Sequence, residues 1–393
     1  MSKSSNQLIL DHPSLIGVIP PALRFKNDKP ENIPFNAKGF FDDLNSFLES
    51  FDHVGEYHNP SHFEDVRNRF LNDLQNIADF FHTELISKIP LLATAFSLGH
   101  DCVHNAYGKR QPTFEMSIKT ICEFYGFDSE DPKTQKKVMD AINFGINQDN
   151  ELTNGERALV SNPDEVIALS EEEMSAIVVD SFAFRNGFDF ETRCLLAGMF
   201  QATEFKRSMD DGLPGFKWPR TQMELMAKLA DLGNFCDEIN EWLEISTKVN
   251  IEVPWFNGTT ALDFIEEELH FINNYLRPVL DPQNLPIVID ANGNSTRAKV
   301  PELYLSAVAE KQDHMLKLKA EIEAIILAGN PGTSIPPYSE DLEEFLRIIR
   351  PALAKTDPEL AAPLNPIQLA SANFKQNLLA EKRNVRTGAT RDR

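Results

Sequence analysis

Apolar residues that return every three or four positions, in segment after segment, commit this chain to helices packed on helices. Phe40, Leu44, Phe47, Leu48 and Phe51 mark one amphipathic helix. Val66, Phe70, Leu74 and Ile77 mark a second, running from residue 61 toward Phe81. A third runs from about Leu85 to His104 and is dense in apolar residues, which predicts burial. Later stretches read as helices at 114–125, 181–205, 222–246 (with Asp231 about halfway along), 260–280, 301–327 and 341–349. The strongest strand signal is a short hairpin pattern within 281–298. The fold class expected is all-α.

The chain has 393 residues, room for one large domain or two ordinary ones. Pro13, Pro20, Pro21, Pro30 and Pro34 keep residues 1–36 from forming a long helix, so this stretch is expected to be an arm. Residues 37–282 would form the main domain, with a polar, part-helical excursion on its rim at 128–174. Residues 283–350 would add a C-terminal helical segment. Residues 351–393 end in Lys382, Arg383, Arg386, Arg391 and Arg393, and read as a mobile basic tail.

Sixty acidic residues against 38 basic ones give a formal charge of −22. Such a field repels nucleic-acid backbones and anionic membranes, so neither is an expected partner. A small anionic substrate would need a metal or a local basic patch to offset it. Cys102, Cys122, Cys194 and Cys236 are scattered, with no paired spacing, and predict reduced thiols. No secretory leader and no apolar run of roughly 20 residues is evident, so a soluble cytoplasmic chain is expected.

Three stretches carry chemistry. The first is Tyr57-His58-Asn59-Pro60-Ser61-His62-Phe63-Glu64-Asp65-Val66, in which Ser61 and Glu64 fit a capping box with His62 in the first turn. The second is Gly99-His100-Asp101-Cys102-Val103-His104, and the third is Ala230-Asp231-Leu232-Gly233-Asn234. A divalent metal that activates water needs several fixed ligands and an open position. His62, His100, Asp101 and Asp231 together supply two imidazoles and two carboxylates. His58, beside His62, is placed to give a proton to a leaving alkoxide.

Histidine, then adjacent His-Asp, then a distant Asp resembles the order of ligands in the HD-domain metal-dependent phosphohydrolases. Within them, the stretch from Tyr57 to Val66 resembles the opening signature of the class I 3′,5′-cyclic nucleotide phosphodiesterases. The likeness covers roughly residues 40–280. It implies an HD/phosphodiesterase-like helical bundle and hydrolysis of a cyclic nucleotide to its 5′-monophosphate by a metal-activated hydroxide. His58 would be the proton donor, and His62, His100, Asp101 and Asp231 would hold Zn2+, with Asp101 bridging to Mg2+ or Mn2+. The likeness further implies supporting roles for His104, Glu115 and Asp65, and substrate contacts from Asn234, Glu268 and Phe271.

Two departures stand against that pattern. The family clamps the purine with a glutamine three residues before a phenylalanine, and here Glu268 stands in the glutamine's place before Phe271. An ionised carboxylate only accepts hydrogen bonds, so Glu268 would favour an N–H-bearing edge such as that of guanine, or another substrate. The family's later histidine pair is also absent: Phe114-Glu115-Met116-Ser117 keeps a glutamate but replaces the preceding histidine, which would weaken a second metal. An HD-type phosphohydrolase acting on another nucleotide or a phosphomonoester, and a metal-bearing binding protein without turnover, are the competing expectations.

Overall fold

The structure is a computed structural model and describes residues 33–50, 57–77, 80–81, 83–103, 114–148, 160–203, 205–206, 215–216, 218–252, 260–328, 338–356 and 369–370. It is mostly helical, as the periodicity predicts, with three small two-stranded sheets among the described residues. Apart from buried Leu369 and Ala370, the expected tail beyond 356 lies outside the described residues, as do nearly all of the arm and His104. The chain divides into two compact units. The first comprises 1–233 with 282–301, the second 234–281 with 302–393. The expected main domain of 37–282 is therefore shared between them.

In the first unit, α1 (Ala37–Glu49), α2 (Pro60–Ile77) and α3 (Thr83–Gly99) come first. Asn36 caps α1 by accepting from the Gly39 amide. Asn59 accepts from the amides of Ser61 and His62, so α2 is capped by Asn59 and begins at Pro60. Proline in the first turn loses no helical bond, which explains the earlier start than the Ser61 capping box implied. α3 stops at Gly99, and His100 and Asp101 form the turn beyond it.

Residues 114–125 depart from the helix expected there. Phe114–Ser117 is a strand, β1, followed by α4 (Ile118–Phe124). Ser117 accepts from the Thr120 amide and starts α4, while Met116 is buried and Glu115 exposed, the alternation of a strand. The described part of the rim excursion is folded with the unit. It holds α5 (Pro132–Gln148), which buries Val138, Ala141 and Ile142, and β2 (Val166–Leu169), antiparallel to β1.

The helix expected over 181–205 is two, α6 (Glu171–Arg185) and α7 (Phe190–Ala202). Gly187 breaks it at φ 74°, a left-handed conformation that side chains resist, and Asp189 caps α7 through the Thr192 amide. β3 (Phe205–Lys206) and β4 (Gly215–Phe216) pair before α8 (Gln222–Leu232). α8 also ends earlier than expected, so Asp231 lies in its last turn rather than midway. α2 packs against both α3 and α8, and α7 against α3, α6 and α8. The hairpin expected within 281–298 is present as β5 (Ile287–Ile289) and β6 (Ser295–Arg297).

Among the described residues of this unit, Arg193 and Asp180 form a buried ion pair. Arg193 on α7 donates from Nε and Nη2 to Asp180 on α6 at 2.8 and 2.7 Å, and the Tyr125 hydroxyl donates to the same carboxylate. Removing one partner strands a charge away from water. Arg193→Met is expected to destabilise the fold by about 3–5 kcal/mol, read as a lowered denaturation midpoint. A cost below about 1 kcal/mol would mean that the pair is solvated.

The second unit packs α9 (Ile239–Glu252), α10 (Ala261–Phe271), α11 (Arg277–Leu280), α12 (Glu302–Ala328) and α13 (Glu340–Thr356). A π turn at Ile272–Leu276 joins α10 to α11 just before Pro278. The wider turn accommodates a proline ring that would clash in a continuous α-helix. α13 passes through Pro351, beyond the end expected at Ile349.

Candidate metal centre

Three helix ends bring the candidate ligands together inside the first unit. His62 sits in the first turn of α2, His100 and Asp101 just past the end of α3, and Asp231 in the last turn of α8. One donor atom from each of these four lies within 4.8 Å of all the others, so they could hold a metal ion. His62 and His100 are buried, and Asp101 and Asp231 keep a partly open edge.

The individual separations are short. His100 Nε2 lies 2.9 Å from Asp101 Oδ2 and 3.3 Å from Asp231 Oδ1. His62 Nε2 lies 3.3 Å from His100 Nε2, 3.5 Å from Asp101 Oδ2 and 3.8 Å from Asp231 Oδ1. Donors bound about 2.0–2.2 Å from one cation stand roughly 3 Å or slightly more from each other. These separations fit that spacing.

Hydrogen bonding argues the same way. His100 Nδ1 faces the carbonyl oxygens of Ser97 and Phe96 at 3.0 and 3.2 Å. A carbonyl only accepts, so Nδ1 carries a proton and, in the neutral ring, Nε2 turns its lone pair toward the cluster. Asp101 Oδ2 is buried and, despite its near neighbours, accepts no aligned hydrogen bond. Lone pairs and an unsatisfied carboxylate oxygen converging on one point need a positive charge between them.

In the metal-free chain a proton supplies that charge. Burial alone would lower the His100 pKa, but the carboxylates of Asp101 and Asp231 outweigh it and raise it well above 6.5. Burial would raise the Asp101 carboxyl, and the charges of His100 and His58 instead hold it well below its usual range. The linkage has a definite sign. The raised His100 pKa stabilises the metal-free fold at low pH, and that contribution is lost as pH rises through the raised value. A metal must displace this proton. Metal affinity is therefore expected to climb about tenfold per pH unit through pH 6.5 and beyond, where an ordinary histidine would level off. Zinc titrations across pH check this, and a plateau already at pH 6.5 would contradict it.

Packing fixes the ring positions. The Phe96 ring stacks on His100 with centroids 5.1 Å apart, and Tyr57 lies against His62 at 4.2 Å. At Gly99 an added Cβ would fall 2.7 Å from Val179 Cγ2 and 2.9 Å from Phe200 Cζ. Only glycine lets α3 end this close to α6 and α7. Sequence reasoning missed Phe96, Ser97 and Gly99 as positioning residues. Phe96 stands four residues before His100, one helical turn back, and that spacing was the available signal.

The other expected site residues fall as follows. His58 is buried, with Nε2 3.6 Å from Asp101 Oδ2. Asp65 on α2 and Glu115 on β1 are exposed, so neither is among the four clustered groups. Asn234, Glu268 and Phe271 belong to the second unit. There Glu268 is buried, 3.2 Å from Asn250 Nδ2 and 3.4 Å from the Ser246 hydroxyl. Burial pushes its carboxyl up to about 7. In both contacts Glu268 accepts, from the Asn250 amide and from the Ser246 hydroxyl. Phe271 packs on Tyr275 at 5.7 Å.

Among the described residues, no helix is long and apolar enough to cross a membrane. Comparisons with protein-family models, with curated proteins and with solved structures found no match to this chain.

Proposed function

We propose that this chain is a metal-dependent phosphoester hydrolase built on an HD/phosphodiesterase-like helical bundle, with a 3′,5′-cyclic nucleotide as its first candidate substrate. The observation that carries the proposal is the convergence of His62, His100, Asp101 and Asp231, with Asp101 Oδ2 buried and unsatisfied at its centre. Imidazole with carboxylate suits Zn2+, and the partly open carboxylate edges suit a second, hard ion such as Mg2+ or Mn2+. When bound, such ions polarise a phosphoryl group and lower the pKa of water.

The remaining steps belong to the chain's own residues. The Ser97 and Phe96 carbonyls hold His100 with Nε2 inward, and Phe96 keeps the ring from turning. The charge of a protonated His58 is one of the influences holding Asp101 ionised. That imidazole, 3.6 Å from the Asp101 carboxylate, would hold the proton that a leaving alkoxide needs. Bound cations would offset locally the negative field of a chain with net charge −22, as an anionic nucleotide would require.

The test is product release from cAMP, cGMP, cyclic dinucleotides, nucleoside monophosphates and p-nitrophenyl phosphate esters, with Mn2+, Mg2+ or Zn2+ supplied. Turnover of a cyclic nucleotide, lost in Asp101→Ala, is the expected result. Turnover of the other phosphoesters alone would replace the substrate class. No turnover by metal-loaded protein would replace the enzyme with a metal-bearing binding protein.

A further inference from the structure

α12 has two apolar faces. The inner one, with Tyr304, Val308, Met315, Leu318 and Ile322, is buried in the second unit. The outer one carries Leu305, Leu316 and Leu327, which are 44%, 47% and 70% exposed, with exposed Ala309 and Ala320 and the polar Gln312 and Glu323 along the same stripe. The three leucines are spaced eleven residues apart. Eleven residues make about three turns, so they keep one stripe within roughly 20° per repeat, over about 33 Å. Isolated exposed leucines are ordinary, but leucines repeated along one helix face form an apolar stripe that a second helix can cover.

The spacing is symmetric about Leu316. If a second copy of α12 crosses antiparallel with a two-fold axis at Leu316, that residue meets its own counterpart, and Leu305 of each copy meets Leu327 of the other. Charges obey the same symmetry. Asp313 and Lys317 lie on one flank of the stripe, and the two-fold brings each near the other residue of the second copy. Neither has an ion-pair partner among the described residues. Along that flank the helix is complementary to itself.

We infer that the outer face of α12 is a self-association surface, forming an antiparallel two-fold dimer centred on Leu316. A stripe one helix wide lies at the small end of specific interfaces, so the dimer is weak, with a Kd on the order of 10–100 μM. This rests on no part of the metal centre.

Sedimentation equilibrium of the full chain from about 5 to 500 μM tests it. A concentration-dependent monomer–dimer equilibrium is expected. Leu316→Glu, which sets like charges together on the axis, should weaken it at least tenfold without changing the far-UV spectrum or Tm. Asp313→Lys should weaken it as well, and adding Lys317→Asp to that variant should restore it. A monomer at every concentration overturns the inference. So does a dimer indifferent to Leu316→Glu, or a charge reversal that fails to restore association. A monomer whose Tm falls with Leu316→Glu would show the face covered within its own chain, which also overturns it.

Discussion

Asp101→Ala is expected to abolish both tight metal binding and turnover. The Asp101 carboxylate is the hub of the cluster, lying within 3.6 Å of His58, His62 and His100 through one oxygen. Even outer partners of metal ligands change affinity 10–100-fold, so loss of a central ligand should cost at least about 100-fold. Stability reports the same loss without any substrate. An ion at about 100 times its Kd stabilises the native chain by about 2.7 kcal/mol, visible as a rise in Tm. In Asp101→Ala that rise should vanish. Asp101→Asn separates shape from charge, because it keeps the volume and still removes the anion that holds His100 protonated. A metal-dependent Tm shift that survives in both variants would place the ion elsewhere.

His58→Asn should give the opposite separation, with metal retained and turnover reduced. His58 is not one of the four clustered ligands, so metal content and the metal-induced Tm shift should match the parent. Positioned proton transfer contributes about 10²–10⁴-fold, and kcat should fall by that factor with KM little changed. The leaving group makes the test specific. A p-nitrophenolate departs without needing a proton, so the loss on p-nitrophenyl esters should shrink toward unity. An equal loss on alkyl and aryl leaving groups would make His58 a positioning residue rather than the donor.

The four clustered residues were legible in the sequence because their surroundings are unusual for their chemistry. His100 and Asp101 end an apolar helix, and Asp231 stands among Leu229, Ala230 and Leu232, where an unpaired carboxylate is costly. Helix periodicity found most of the helical segments and misplaced their ends. It ran through Gly187 and past Leu232, because the apolar pattern resumes after each break and the caps are set by single residues such as Asp189. The β1–β2 pair was missed for another reason. Phe114-Glu115-Met116-Ser117 is four residues long, too short to separate a period of two from 3.6, and its partner lies about fifty residues on at Val166–Leu169. Burial of Glu268 was equally out of reach. The polar pocket of Ser246 and Asn250 is assembled by α9 packing near α10 rather than by neighbours in sequence.

The most direct test of the central claim is calorimetric titration of the metal-stripped full-length chain with Zn2+ and Mn2+. Each titration would be run in two buffers of different ionisation enthalpy, so that proton release is counted, with elemental analysis of the product. Saturable binding of at least one ion per chain is expected. Near pH 6.5 it should release about one proton per ion from His100, and both signals should disappear in Asp101→Ala. A wild-type chain that takes up no divalent ion, or one that binds it as well after Asp101→Ala, would contradict the assignment of His62, His100, Asp101 and Asp231 as a metal centre.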